Sequence, residues 1–459
     1  MGRVVVIGGG FSGLAVATLL ADGPEPREPG STAGNHVEVT VLEGGDHPGG
    51  RTRSDRADGR VLDHATAGWF DDEPALDQLI LRAGLRPHLR TAGPDAHLRW
   101  LFREGRLLAA PQDVSGLLRT PLLSWRGRLR LLLEPLISRG PASAGEDGDE
   151  SFADFVRRRL GAEAVDAVAT PRAQGLYATA PEALSLRAAF PALANAERRY
   201  RSLLFAPKRE GPHHPFQTLD GGAGMLPQAL AAMLGDRVRC HAPAVALEQR
   251  RDGWWVHLQD GTLNADAVVL ACPAPAQAQL VRGVDHDAAA ALDSLQFAPV
   301  AVVIGVWPQG AFPTPPTGFG VSPTRGDQDG VLSVVHASTL FPGRPDELTL
   351  RFYLGGASRP EILDQDDAAI ARAAISAAER YYGRATAAPL VTHVIRQPRW
   401  MPVYAPGHLA RIRAVRGARS RHPGLYFAGD HMDGVGLKGC ARASVGVAER
   451  VSQFLAARV

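Results

Sequence analysis

A chain of 459 residues exceeds what one hydrophobic core usually serves, so two or three domains are expected, and 45% hydrophobic with 21% charged residues excludes a fibrous, disordered or membrane-embedded class. A formal charge of +2 gives no field that would draw nucleic acid, which sets nucleic-acid binding aside. Only Lys208 and Lys438 among the 50 basic residues are lysine, so most arginines read as solvated surface that reflects base composition. Cys240, Cys272 and Cys440 lack metal-ligand spacing and form an odd, sparse set, which predicts no metal and no disulfide framework and fits a reducing compartment.

In chain order, Met1 to Ile7 runs straight into a buried-strand pattern, leaving no room for a signal peptide, and no window approaches the roughly 20 apolar residues of a membrane span. The expected location is cytoplasmic, with membrane contact only peripheral, on the inner face. Arg3 to Ile7 predicts a strand, Gly8 to Gly13 a turn, Ser12 to Leu20 a helix and Val37 to Leu42 a second strand: a βαβ unit, with Asp22 to Asn35 as a surface insertion. Residues 74–207 read as mainly helical. The acidic break Ala144 to Glu150 splits them, and Ser151 with Asp154 offers a helix N-cap. Strands return in 208–295, ending in Ala267 to Cys272. Residues 296–404 mix strands (Val300 to Val306, Val331 to Val335, Leu348 to Leu354) with a helix from Asp366 to Tyr382. The closing stretch, 405–459, carries a strand at Gly424 to Ala428 and a helix at Ala441 to Val451. With 1–73 these boundaries give an α/β nucleotide-binding domain built from three separated stretches (1–73, 208–295, 405–459), a helical domain and an α+β domain.

Gly8-Gly9-Gly10-Phe11-Ser12-Gly13 satisfies G-x-G-x-x-G between a strand and a helix, the context in which the motif signals a dinucleotide and not merely a turn. Glu43 ends the second strand, where a carboxylate meets ribose hydroxyls. It follows Gly13 by 30 residues instead of about 20, and the insertion accounts for the excess. Glu43-Gly44 and Gly49-Gly50-Arg51, Val245 ahead of Trp254-Trp255-Val256, and Leu425-Tyr-Phe-Ala-Gly429-Asp430 with Gly434-Val435-Gly436 are similar to segments of the amine-oxidase-like flavoproteins. That resemblance implies FAD. Gly50 and Arg51 would make a second pyrophosphate contact, Val245 would meet adenine through its backbone, Asp430 would approach ribityl or pyrophosphate, and amides near Val435, Gly436 and Leu437 would face the flavin. A second dinucleotide motif in strand-turn-helix context is not found, so the resemblance implies that reduced flavin passes electrons to oxygen or another small acceptor.

Phe152 to Gly161, Gln174-Gly175-Leu-Tyr177-Ala178, Leu184 to Pro191, Glu197 to Leu204, Phe216 to Gly222 and Trp400-Met-Pro402-Val-Tyr404-Ala-Pro-Gly407-His408 follow one another as in the protoporphyrinogen oxidase family, which the chain resembles over essentially its full length. The resemblance implies a six-electron, three-turn oxidation of a porphyrinogen, protoporphyrinogen IX or coproporphyrinogen III, in tetrapyrrole biosynthesis. It also implies peripheral membrane contact and allows a homodimer. Arg99 matches the family's propionate-pairing arginine, Gly175 a glycine near the reacting face, whose other reading is a helix-end glycine, and Trp400 lies in the motif assigned to the cofactor side. Val335 to Ser338 and Leu350 to Tyr353 read equally as an apolar slot or as core strands. His408 reads better as structural than as a proton relay. Ser115 to Arg139, leucine-rich and basic, reads equally as a lipid-facing or a buried amphipathic stretch.

Two departures, Ala65-Thr66 where relatives carry Gly-Pro and Thr179-Ala180 where they carry Gly-Asp, bear on the substrate more than on the cofactor. Two alternatives stay open. One is a related FAD enzyme acting on an amine, a carotenoid precursor or a specialised metabolite; the other is a flavin- or porphyrin-binding homologue without turnover.

Overall fold

A computed structural model describes residues 2–22, 37–141, 148–206, 214–326 and 329–458. Beyond Asp22, the expected insertion lies outside the described residues, as do residues 144–147 of the acidic break. The chain divides into two compact units, Met1–Arg90 with His214–Leu295 and Leu409–Val459, and Thr91–His213 with Gln296–His408.

The first unit is built on a five-stranded parallel sheet in the order Val238–Arg239, β2 (Val37–Leu42), β1 (Gly2–Ile7), Ala267–Leu270, Leu425–Phe427. Val4, Val5, Val6 and Ile7 are all buried, as an unbroken apolar run must be when both faces of a central strand are covered. Helix α1 (Phe11–Asp22) packs Leu14, Val16 and Leu20 into the same core as Val447 and Val451 of the C-terminal helix Gly436–Ala456. The Ser444 hydroxyl ties the two helices by donating to the Ser12 carbonyl at 3.3 Å.

The second unit carries a seven-stranded sheet in the order Val391–Pro402, Phe297–Pro308, Glu347–Gly355, Val331–Val335, Gly320–Pro323, Arg99–Arg103, Arg106–Ala109. The last two strands correct the mainly helical reading of 74–207, and they place that segment and 296–404 in a single sheet. The overlooked signal is Glu104-Gly105, both with positive φ (51° and 76°), a two-residue hairpin turn between short apolar runs. The helix Pro74–Arg82, also read with that segment, belongs to the first unit.

One face of this sheet packs on helix Asp367–Tyr382, with Phe102, Val321, Val334, Leu350, Phe352 and Leu354 in the shared core. Leu350 and Phe352 are therefore core residues, not the lining of a slot. His336 is buried there too; its Nδ1–H donates to the Thr317 carbonyl at 2.9 Å, leaving Nε2 to accept from the Tyr382 hydroxyl at 2.7 Å.

Beside the sheet, helix Phe152–Leu160 starts at Ser151, whose side chain accepts from the Asp154 amide. Its last turn buries Arg159 completely, with Nε 2.9 Å from Glu197 and Nη1 3.3 Å from Glu134, both carboxylates also fully buried. Arg158 bridges Glu197 at 2.7 Å and Glu150 at 2.6 Å. A π-helical turn, Val165–Ala169, leads into helix Thr170–Tyr177.

Candidate dinucleotide site and substrate face

Strand β1 is followed by Gly8 to Gly13 at the point where its neighbours diverge, β2 on one side and Ala267–Leu270 on the other, so the turn opens at the switch point of the parallel sheet. The glycines have separate physical causes. Gly8 has φ +115°, and a Cβ there would lie 2.5 Å from the Cys272 amide nitrogen. A Cβ at Gly13 would collide with the Gly8 carbonyl oxygen, so this glycine lets α1 approach the end of β1. At Gly10 a Cβ would meet nothing nearer than the Gly50 Cα at 4.0 Å, so what its missing side chain leaves is open approach to the backbone.

The carboxylate of Glu43 accepts from the Gly9 amide at 2.8 Å through one oxygen and from the Gly45 amide at 2.8 Å through the other. Its backbone is held by the segment before Val245: the Glu43 amide donates to Arg239 and the Ala242 amide to Glu43. Gly44 lies against Pro243, at van der Waals distance for an added Cβ. Val245 sits at a register shift between Ala244 and Ala246, a bulge that leaves its backbone outside the strand pairing, and its side chain is half exposed.

Gly49 and Gly50 reach the turn directly. The Gly49 amide donates to the Gly9 carbonyl at 2.8 Å, and Gly10 and Gly49 form an isolated parallel bridge. Arg51 hydrogen-bonds Asp430, across 379 residues of sequence. Burial works to lower its pKa, but the charge and hydrogen bond of Asp430 outweigh burial and leave it raised. Phe11, which is buried, and Ser12 open α1, which has no acidic residue in its first turn. The helix Gly436–Ala456, preceded by Val435 and starting at Gly436 and Leu437, has neither a side-chain cap nor an acidic first turn. Two helix N-termini without capping carboxylates, and a glycine cradle, fit an anionic dinucleotide.

Sequence reading missed Gln277 and His431. The Gln277 amide donates to the carbonyls of Leu270, Cys272 and Ala428, pinning the ends of two neighbouring strands beneath Gly429 and Asp430. Only the helical periodicity around Gln277 is visible in sequence, with nothing to mark it as polar core. Cys272 and Cys440 are thiols, not thiolates, at neutral pH, each pushed up to about 12 by burial. Burial pushes His431 down to about 4, and His336 likewise. An unfolded chain takes up these protons near the ordinary value of ~6.5, while the folded chain does not, so their contribution to stability is complete above that value. It is lost as pH falls toward 4, at about 1.4 kcal/mol per pH unit for each histidine. Melting temperature should drop through that window, and His336→Gln should flatten the drop; a flat parent profile would contradict the burial of neutral imidazoles.

Arg99, Gly175 and Trp400 belong to the second unit. Trp400 packs against Tyr353, with ring centroids 5.8 Å apart. The Arg99 guanidinium lies 3.9 Å above the Phe319 ring, and burial, with the charge of Arg172 adding to it, pushes its pKa down to about 10. Gly175 is an exposed mid-helix glycine with no atom within 4 Å of an added Cβ, which corrects the helix-end reading, since the left-handed cap falls at Ala178. His408 stacks on Tyr404 at 4.1 Å, in keeping with a structural role. Of the departures, Thr66 closes a local turn, its hydroxyl donating to the Gly68 carbonyl at 2.6 Å, and Thr179 is buried.

The model of the flavin-containing amine oxidoreductases matches residues 11–452. The chain is a member of that family. Among curated relatives, it is 31% identical to protoporphyrinogen oxidase of Macaca fascicularis over 96% of both chains. It is 27% identical to coproporphyrinogen III oxidase of Bacillus subtilis over 95% of both, and 28% identical to chloroplastic protoporphyrinogen oxidase 1 of Spinacia oleracea over 98% of this chain and 84% of the relative. A crystal structure from Exiguobacterium sp. 255-15, provisionally named a protoporphyrinogen oxidase, superposes with TM-score 0.82 at 24% identity, covering 98% of this chain and 99% of the other. A cyclohexylamine oxidase from Brevibacterium oxydans superposes at 0.72 and 20% identity, covering 99% of each. This member of the flavin-containing amine oxidoreductases is an FAD-dependent oxidoreductase, and no helix among its described residues is long and apolar enough to cross a membrane.

Glu43→Ala should lower FAD occupancy, because it releases the amides of Gly9 and Gly45 and so loosens the glycine turn. Flavin absorbance per protein in the purified variant checks this, and unchanged occupancy would place the ribose elsewhere.

Proposed function

We propose that this flavoenzyme oxidises a porphyrinogen, protoporphyrinogen IX or coproporphyrinogen III, to the porphyrin in tetrapyrrole biosynthesis, with oxygen as acceptor. The observation that carries the reading is the match, over 95% or more of the chain, to curated oxidases of both compounds. When bound, FAD supplies two-electron oxidation, so three turns remove six hydrogens from the macrocycle and convert three oxygen molecules into three of hydrogen peroxide.

The protein's own part is binding, orientation and exclusion of water. We assign the turn Gly8, Gly10, Phe11, Ser12 and Gly13 to the pyrophosphate through its backbone amides and the N-terminus of α1. Glu43 and Gly44 take the ribose, Val245 the adenine, Gly50 and Arg51 a second pyrophosphate contact, Gly429 and Asp430 the ribityl side, and Val435, Gly436 and Leu437 the flavin ring. Arg51 orients Asp430, which Gln277 and His431 support from beneath. On the second unit, Arg99, placed over the Phe319 ring, takes a propionate, and the bare backbone of Gly175 admits the macrocycle edge.

Peripheral membrane contact belongs to the same proposal. In Ser115 to Arg139, Leu117, Leu122, Leu123 and Leu131 are buried, whereas Trp125, Leu129 and Leu132, at i, i+4 and i+7 of helix Trp125–Leu132, are exposed, with Leu133 and Leu136 beyond. An apolar stripe beside Arg126, Arg128 and Arg130 suits an anionic lipid surface, where an apolar substrate would partition.

Holoenzyme mixed in air with each porphyrinogen should release porphyrin fluorescence together with peroxide, and the faster substrate names the pathway branch. Turnover no faster than autoxidation with both would reject the proposal.

A further inference from the structure

Helix α1 and the C-terminal helix Gly436–Ala456 run side by side in one direction. The Ser444–Ser12 hydrogen bond ties them near the start of α1. At the other end the Leu455 side chain lies 2.9 Å from where a Cβ on Gly2 would be, at the beginning of β1. Both helices therefore start at the carboxyl end of the parallel sheet, the side on which such sheets bind dinucleotides. Ser444 lies eight residues into its helix, so that helix rises about 12 Å beyond the level of Ser12. Its first turn stands past the glycine turn, on the side toward which a dinucleotide held by its pyrophosphate extends.

Lys438 is in that first turn, three residues after Val435. It is one of two lysines among 50 basic residues, and the other, Lys208, lies outside the described residues. A cation at a helix start opposes the helix dipole, so helix electrostatics do not account for it. Its ammonium pairs with Asp72 and lies 5.7 Å from the centroid of the Phe70 ring, and one turn on Arg442 reaches Glu73 at 3.3 Å. Asp72 and Glu73 stand just ahead of helix Pro74–Arg82, where carboxylates are favoured. The Asp72 side chain is 15% exposed and that of Lys438 31%, so the carboxylate is enclosed while the lysine keeps an open side. An ammonium is a compact point charge on a flexible stem, which can face a second anion while keeping the first.

We propose that Lys438 tunes the electron affinity of the bound flavin, adding its charge to the uncapped helix start to stabilise the reduced ring, with Asp72 holding the ammonium in reach and moderating its effect. This rests on the placement of the flavin ring at Val435 to Leu437 and deepens it. A hydride taken from the substrate leaves the ring with a negative charge. Neutrality returns when the electron pair passes to oxygen with that proton and one from solvent, giving peroxide. A positive charge beside the ring therefore favours the reduced form.

The test is the midpoint potential of the FAD-loaded enzyme, measured against redox dyes in the parent and in Lys438→Met, Lys438→Arg, Asp72→Asn and Val435→Asp, with flavin content and melting temperature recorded for each. Lys438→Met should lower the reduced-to-oxidised ratio at a fixed potential by about tenfold, a fall of about 30 mV for a two-electron couple, and Lys438→Arg should keep most of the parent value. Asp72→Asn removes the counter-charge and should raise the potential, although it breaks the same ion pair. A pair with only a structural role would lower the melting temperature in both variants and leave both potentials at the parent value. Such a result, or shifts of the same sign in Lys438→Met and Asp72→Asn, would overturn the proposal. Should Lys438→Met retain no flavin, the sign of the Asp72→Asn shift decides. Val435→Asp places a carboxylate at the same helix start and should lower the potential; no shift there would mean that the flavin ring lies elsewhere, which overturns the placement on which the proposal rests.

Discussion

Gly13→Val is expected to yield protein with no bound FAD and a stability lower by about 3 kcal/mol, the scale of overpacking at a rigid contact. The added side chain collides with a backbone oxygen, that of Gly8, and not with the end of a flexible side chain. Relief therefore requires α1 to back away from β1, which opens the turn and separates its amides. Gly10→Ala provides the contrast. Its methyl would find only the Gly50 Cα at 4.0 Å, so the apoprotein should melt like the parent. If pyrophosphate approaches the backbone at Gly10, that methyl stands in its way and FAD is still lost. Flavin content and melting temperature, measured together on both variants, separate the roles; a Gly10→Ala enzyme with full flavin would remove Gly10 from the binding surface.

The second large effect concerns the buried ions. Glu197→Ala should cost about 3–5 kcal/mol, because breaking a buried pair leaves a charge without compensation. Arg159 is fully buried and would keep Glu134, at 3.3 Å, as its one carboxylate among the described residues, beside backbone carbonyls, and Arg158 would lose its 2.7 Å partner. Burial already acts to lower the pKa of Arg159 and to raise that of Glu150, so the network has little reserve. Thermal melts should show a fall of roughly 10 °C, with Glu197→Gln intermediate because it keeps the shape but not the charge. A Glu197→Ala protein as stable as the parent would mean that water reaches this cluster.

These two sites differ in how far sequence exposes them. The dinucleotide turn was legible because each constraint there is local: a strand, a glycine with positive φ, a helix start and an acid at the next strand end. The fold then brings Gly8, Glu43, Gly50, Arg51 and Asp430 together in one unit, and β2 was placed to the residue. The C-terminal helix was read five residues short at each end; at its start Gly436 and Gly439 weaken helical propensity where the uncapped N-terminus begins.

The ion cluster was illegible. Arg158-Arg159 looks like any basic helix end among 48 arginines, and its partners Glu134 and Glu197 are chosen by tertiary packing. The strands Arg99–Arg103 and Arg106–Ala109 were absorbed into a helical reading because four- and five-residue runs carry almost no periodicity of their own.

In the proposed function a porphyrinogen is the electron donor to the bound flavin. Its most direct test is to mix the holoenzyme anaerobically with protoporphyrinogen IX, and separately with coproporphyrinogen III, and follow flavin absorbance before admitting air. Bleaching is expected with at least one of them as porphyrin forms, then recovery with peroxide when oxygen enters. Flavin that stays oxidised in the presence of both, while another reductant bleaches it, would contradict the claim.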